Sequence, residues 1–327
     1  MVRSASAKPQ RVSNHARCHA TQFLPSLLFS AVSRYRRQML SFGLTVLLDG
    51  VSYGMILFLI SVGLTVTMGL MRVVNLAHGA FAMIGGYVAG YLTQRGCNFD
   101  LAALAAAAAA AAIGAATERT IYQPLYRKGE LAQVLLTVGF VFVATGAVSE
   151  VFGAFPYPVV FPAYLTRPID IGFRQYPAYR LFLIASGALI ALSLWLALDN
   201  SLYGARLRAA VDNPRMARAV GINVSLLFTS TFVIGCGLAG LGGALGSGIL
   251  SLEPAYALKY VVLFLIVVIV GGEGSFEGSF VAAMALGVID TLGKYFVAEA
   301  APYLLYAAVF ALLLWRPKGL MPPRSLT

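Results

Sequence analysis

A polytopic bundle of membrane-spanning α-helices, all-α with about eight or nine transmembrane segments, is the fold this sequence predicts, on three observations. Of its 327 residues, 59% are hydrophobic and 11% charged, with a mean hydropathy of +0.79; a soluble domain is about half apolar and a quarter charged. The apolar residues lie in long runs of helix length, and a helix satisfies its own backbone inside lipid. Segments of about ten residues alternating in polarity, the mark of a membrane barrel, are absent.

The apolar runs cover approximately 42–71, 76–93, 101–117, 132–153, 179–198, 225–250, 257–271, 279–297 and 301–315. A span needs about 20 residues. The first run contains Gly54, Gly63 and Gly69 and reads either as one long helix or as a helix followed by a broken half-helix. Residues 1–38 hold seven of the 24 basic residues and no acid. They read as a basic arm, disordered or upstream of a true start at Met39. They lack a signal peptide, because Pro25 interrupts the short apolar stretch and Arg34, Arg36 and Arg37 follow it. Residues 39–323 read as one transmembrane domain containing a polar segment at 199–223.

The formal net charge of +11 is concentrated in that arm. The modest excess left over is what a membrane protein with basic inner loops requires. Basic and aromatic residues are not interleaved on a polar face, so nucleic acid is not an expected partner. Arg119, Arg127 and Lys128 mark one loop, Arg206, Arg208, Arg215 and Arg218 a second, and Arg316, Lys318 and Arg324 the C-terminus. Even numbers of spans separate the three, which places them together on the cytoplasmic side. The Pro-rich loop 154–178 then lies outside. The basic cluster at 34–37 also favours the inside, which leaves the N-terminal topology open.

The polar segment DNSLYGARLRAAVDNPRMARAVGIN, residues 199–223, interrupts this apolar pattern. Asn213 can cap a short helix with Pro214 in its first turn and Gly221 at its end. That helix has seven or eight residues, roughly 11 Å. Met216, Ala219 and Val220 share one face, and Arg215 and Arg218 flank it. An apolar stripe with flanking arginines suits a groove on a soluble partner. It equally suits a membrane surface, where the arginines meet lipid phosphates.

Asn75 and His78 stand three apart at the start of an apolar helix and either line a pathway or cap that helix. Gly86 and Gly90 form a small-residue pair. Gly240 and Gly243 lie in the run GCGLAGLGGALGSG; small residues let helices approach closely in lipid. GGEGSFEGSF, residues 271–280, lacks the lysine of a phosphate loop and reads as a tight turn, with Glu273 and Glu277 facing water. Asp290 and Lys294 are spaced to pair across one helical turn. Glu118 and Arg119 are expected at the membrane interface. The cysteines (Cys18, Cys97, Cys236) and histidines (His15, His19, His78) show no metal-ligand spacing. No nucleophile, base and orienting group come together, so neither an enzyme nor a cofactor is expected.

From about Leu40 to Pro323 the chain resembles the LivH-type permease subunit of branched-chain amino acid ABC importers. The resemblance is carried by LTVTMGLMRVVNLAHGAFAMIGGYVAG, TERTIYQPLYRKGELAQVLLTVGF, RAAVDNPRMARAVGIN, TFVIGCGLAGLGGALGSG and WRPKGLMPP. It implies a bacterial inner-membrane protein that works with a second, homologous permease, two cytoplasmic ABC ATPases and a periplasmic substrate-binding protein. It further implies that residues 212–221 dock the ATPase, with Arg208, Asp212, Asn213, Pro214, Arg215, Met216, Arg218, Val220 and Gly221 as the coupling residues. Two features depart from the family: Glu273 stands at an apolar position of the glycine turn, and residues 1–38 have no counterpart. Permeases for urea or short amides share this pattern, so the substrate stays open between them and amino acids. From the residues alone, an ion-coupled secondary carrier and a non-transporting membrane scaffold are the readings from other classes.

Overall fold

A computed structural model describes residues 14–71, 75–123, 129–172 and 174–321. The chain divides into two units, Met1–Thr45 and Val46–Thr327. Residues 1–13 of the basic arm, Arg72, Arg127, Lys128 and Arg324 lie outside the described residues. In the first unit, residues from Asn14 onward are helical, and Thr45 returns a hydrogen bond to the Ser41 carbonyl at 2.7 Å.

The first helix, α1 (Asn14–Met71), is continuous through Gly54 and Gly63. The alternative of a broken half-helix in this stretch is therefore not what forms. Glycine weakens a helix by about 1 kcal/mol relative to alanine, and packing offsets that loss. A Cβ at Gly54 would strike the Ala283 backbone, and one at Gly63 the Gly235 backbone.

The helices that follow are α2 (His78–Gln94), α3 (Phe99–Thr117) and α4 (Glu130–Phe152). A π-helical turn, Glu118–Tyr122, extends α3. A short turn, α5 (Ala163–Thr166), leads into a two-stranded hairpin, β1 (Pro168–Asp170) and β2 (Gln175–Pro177). The strands are antiparallel, with Ile169 opposite Tyr176. Next come α6 (Ala178–Asp199), α7 (Leu202–Asp212), α8 (Pro214–Ala219) and α9 (Val224–Gly246). The chain closes with α10 (Tyr256–Gly271), α11 (Phe276–Phe296) and α12 (Ala301–Trp315). Among the described residues, seven helices are long and apolar enough to cross a membrane. Helices α2 and α10, of 17 and 16 residues, are the shorter members, and they correspond to the runs at 76–93 and 257–271.

Within Val46–Thr327, α9 packs against α2 and α3, and α11 packs against α10 and α12. Small residues make the first contact possible. A Cβ at Gly243 would fall on the Ala82 carbonyl, and one at Gly240 on the Ala110 methyl. Aromatic side chains fill the wider gaps. Phe58 meets Phe276 and Phe280 edge-on at centroid distances of 5.4 and 5.2 Å, a preferred ring arrangement.

Helix ends are capped where polar residues reach them. Asn223 accepts from the Leu226 amide at 3.0 Å to start α9, and Ser275 accepts from the Gly278 amide at 3.0 Å to start α11. The glycine run between α10 and α11 forms the expected tight turn, with Gly272 and Gly274 at φ +104° and +80°, and Glu273 and Glu277 exposed. The C-terminal strap folds back onto this turn, the Leu320 amide donating to the Val270 carbonyl at 2.8 Å.

Candidate functional site

The polar segment between α6 and α9 folds into two short helices rather than one. Ser201 accepts from the Gly204 amide at 3.2 Å and starts α7. Asn213 ends α7 and begins α8, its side chain accepting from the Met216 amide at 3.0 Å. Pro214 occupies the first turn of α8, where its missing N–H costs nothing. Gly221 follows at φ +88°, a left-handed conformation that glycine adopts without steric cost. The capping and the glycine stop match the sequence expectation; the helix is six residues long, shorter than expected, because Val220 already leaves the helical conformation.

Burial divides this segment sharply. Ala217 is buried with Leu207, Ala210, Val224 and Leu227, which fastens α8 to the bundle. Met216 and Val220 are 64% and 71% exposed, and Arg206, Arg208, Asp212, Arg215, Arg218 and Ala219 are exposed beside them. The apolar stripe read from the sequence is thus uncovered.

Two contacts tie the segment to the transmembrane helices on either side. The Arg208 guanidinium donates to the Leu198 carbonyl at 2.5 Å and stands 3.6 Å from Asp199. It thereby satisfies a carbonyl at the C-terminus of α6, where positive charge is favoured. The Tyr203 hydroxyl lies 2.7 Å from the Thr231 hydroxyl and 3.1 Å from that of Ser230 on α9. An apolar cavity of about 290 Å³ adjoins α7, lined by Val62, Val66, Leu198, Leu207, Ile234 and Leu238 among others. Helix α7 is thus bonded to both α6 and α9 and borders this cavity.

A buried polar cluster sits where the N-terminus of α2 meets the π-helical turn. Asn75 Oδ1 accepts from the Ala77 amide at 3.1 Å and from the Tyr122 hydroxyl at 3.2 Å. His78 Nε2 is 2.7 Å from the Ile60 carbonyl. A carbonyl only accepts, so Nε2 carries the proton. Glu118 is buried within the bundle, and Arg119 beside it is exposed. Its Oε2 accepts from Thr229 at 3.0 Å and Gln123 at 3.2 Å. The hydroxyl and amide replace water that a buried carboxylate loses, and nothing in the local sequence around Glu118 reveals partners on α9. Asn75 thus fixes the turn that leads into α2, and His78 braces α2 against α1. Gly86 faces Leu252 and Gly243, and Gly90 faces Tyr157, so α2 packs there against connecting segments as well as α9; Gly240 and Gly243 seat α9 against α3 and α2.

Sequence reasoning missed a second network, at the hairpin end of the bundle. Asp49 on α1 accepts from the Tyr176 hydroxyl at 2.6 Å and from the Tyr295 hydroxyl at 2.7 Å, and pairs with Arg180. Burial pushes the Tyr176 phenol above its ordinary range, and the Asp49 carboxylate adds to the shift. The hydroxyl therefore stays protonated and donating at physiological pH. Asp290 and Lys294 pair as expected, with Nζ 2.5 Å from Oδ2. Among the described residues no cluster of histidine, cysteine or acidic side chains suited to a metal ion occurs.

Comparison with known proteins gives a consistent picture. A family model described as "Branched-chain amino acid transport system / permease component" matches residues 46–314. The chain is 25% identical to the "Probable branched-chain amino acid transport permease protein LivH" of Methanocaldococcus jannaschii, over 87% of this chain and 93% of that protein. It is 26% identical to the high-affinity branched-chain amino acid transport system permease protein LivH of Escherichia coli K12, over 84% and 93%. It is also 26% identical to the high-affinity branched-chain amino acid transport system permease protein LivM of the same organism, over 82% of this chain and 68% of that protein. No solved structure matches the chain.

Proposed function

The chain belongs to the branched-chain amino acid transport permease family, and we propose that it is the membrane subunit of an ATP-driven importer for branched-chain amino acids. In this reading it supplies half of a translocation pathway in the bacterial inner membrane. A second, homologous permease supplies the other half; similarity to both LivH and LivM supports such pairing. Two cytoplasmic ATPases supply hydrolysis, and a periplasmic binding protein delivers substrate.

The observation that carries the reading is the exposed α8. A capped helix with Met216 and Val220 uncovered and arginines on both flanks, next to an α7 bonded to two transmembrane helices, suits docking into a groove of a soluble protein. Closure of the ATPases would displace α7 and α8, and Arg208 and Tyr203 would pass the motion to α6 and α9.

The test is co-purification of the chain with its ATPase, combined with uptake of labelled leucine and urea in cells. Changing Arg215 and Arg218 together to glutamate is expected to abolish co-purification. Leucine uptake is expected to follow ATP and vanish on deletion of the chain. Urea uptake without leucine uptake would keep the architecture and change the substrate. Uptake that follows the proton gradient alone would replace the importer with an ion-coupled carrier.

A further inference from the structure

Two carboxylates are buried toward the hairpin end of the bundle, and their surroundings differ. Asp49 is saturated by two phenols and a guanidinium. Asp290, 6% exposed, has the Lys294 ammonium as its charged neighbour, Nζ 2.5 Å from Oδ2. Among the described residues no hydroxyl or amide donates to Asp290 Oδ2. The same ammonium stands 4.8 Å from the centroid of the Tyr53 ring.

The trio is asymmetric. Asp290 and Tyr53 are buried in packed helices, whereas the lysine side chain is 58% exposed. The acid and the ring face are therefore held in place, and the cation reaches them on a flexible four-carbon stem from the open side. A buried carboxylate without other donors needs a cation beside it. Any primary ammonium meets that need, because it brings the same charge, the same donors and the same attraction to a ring face. An α-amino acid carries such an ammonium, next to a carboxylate that a displaced lysine can pair with. The exchange leaves the net charge of the site unchanged.

We propose that Asp290, Tyr53 and Lys294 form a transit site for the zwitterionic head of an α-amino acid. The substrate ammonium replaces that of Lys294 against Asp290 and the Tyr53 face, and Lys294 takes the substrate carboxylate. The ion pair seen here is then the resting, self-occupied state. No covalent step is involved. The inference rests on the reading of the chain as an amino acid permease.

The experiment uses the whole transporter in vesicles, with its ATPases and binding protein, and measures leucine uptake and ATP hydrolysis together. Asp290→Asn is expected to keep assembly and hydrolysis and to lower leucine uptake about 10- to 100-fold, the worth of one charge-assisted contact. Lys294→Gln is expected to raise KM while retaining most of kcat. The double variant is expected to transport as poorly as Asp290→Asn. A purely structural ion pair predicts the opposite, with the double variant recovering uptake. Wild-type uptake by Asp290→Asn, or its recovery in the double variant, overturns the site.

A second measurement leaves the acid in place. In Lys294→Cys, leucine is expected to slow modification of the thiol by a maleimide several-fold, and an unchanged rate overturns the site. A wild-type complex that hydrolyses ATP but carries no leucine overturns the amino acid reading itself, which separates that failure from failure of the site alone.

Discussion

Asp49 and Tyr295 lie 246 residues apart in the chain and 2.7 Å apart in space. Their hydrogen bond, with those of Tyr176 and Arg180, joins the hairpin end of α1 to α6, to α11 and to β2. Three transmembrane helices and the extramembrane hairpin thus converge on one carboxylate. Helix ends in lipid have no hydrophobic force to hold them together, so a shared polar centre is an effective fastening.

Removing that centre has a large expected cost. Asp49→Ala leaves the Arg180 guanidinium and two phenols without their acceptor, and breaking such a pair costs about 3–5 kcal/mol. Tyr295→Phe removes one donor and costs about 1–2 kcal/mol. Thermal unfolding of the purified chain in detergent ranks them, with Asp49→Ala well below Tyr295→Phe and both below wild type. Equal melting temperatures for all three proteins would show that the centre holds nothing.

The glycines divide into two kinds that a substitution pair can separate. A Cβ at Gly243 lands on the Ala82 carbonyl, whereas one at Gly139 meets nothing within 4 Å. Gly243→Ala is expected to destabilise by about 1–3 kcal/mol through overpacking. Gly139→Ala is expected to be neutral or stabilising by about 0.5–1 kcal/mol through helix propensity. Yield of folded protein and melting temperature read both directly; a loss at Gly139 would indicate that its face is covered by a partner subunit.

Asn213 ends one short helix and caps the next, so its removal loosens the proposed docking segment without touching the exposed stripe. Asn213→Ala is expected to cost about 1 kcal/mol locally, to speed amide exchange at Met216, and to weaken ATPase binding several-fold. Met216→Asp is expected to leave exchange unchanged and to weaken binding more. If neither variant changed ATPase binding, α8 would not be the contact.

The cavity beside the coupling segment offers a test of motion. Ala197 lines it, and Ala197→Phe fills space next to α7. The expected result is normal ATPase binding with slower transport, seen as ATP hydrolysis uncoupled from leucine uptake. Unchanged coupling would mean that α7 does not move into this space.

Much of this molecule was legible in its residues. Hydropathy runs of helix length marked the transmembrane helices, because lipid leaves a backbone few ways to satisfy itself. The local capping code, Asn213 with Pro214 and Gly221, marked α8, because caps act over three or four residues. The one-turn spacing of Asp290 and Lys294 marked their pair for the same reason. Local rules were not enough to resolve the single course of α1 through Gly54 and Gly63, since the glycines that weaken it are matched by Ala283 and Gly235 on distant helices. Nor do they carry Glu118 into the interior, where Thr229 on α9 replaces water, or set Asp49 at the meeting point of three helices. The sequence by itself determined which segments enter the membrane and where the exposed helix starts and stops. Which polar groups are paired across the bundle was decided by tertiary structure, because the partners of Glu118 and Asp49 come from helices far apart in the chain.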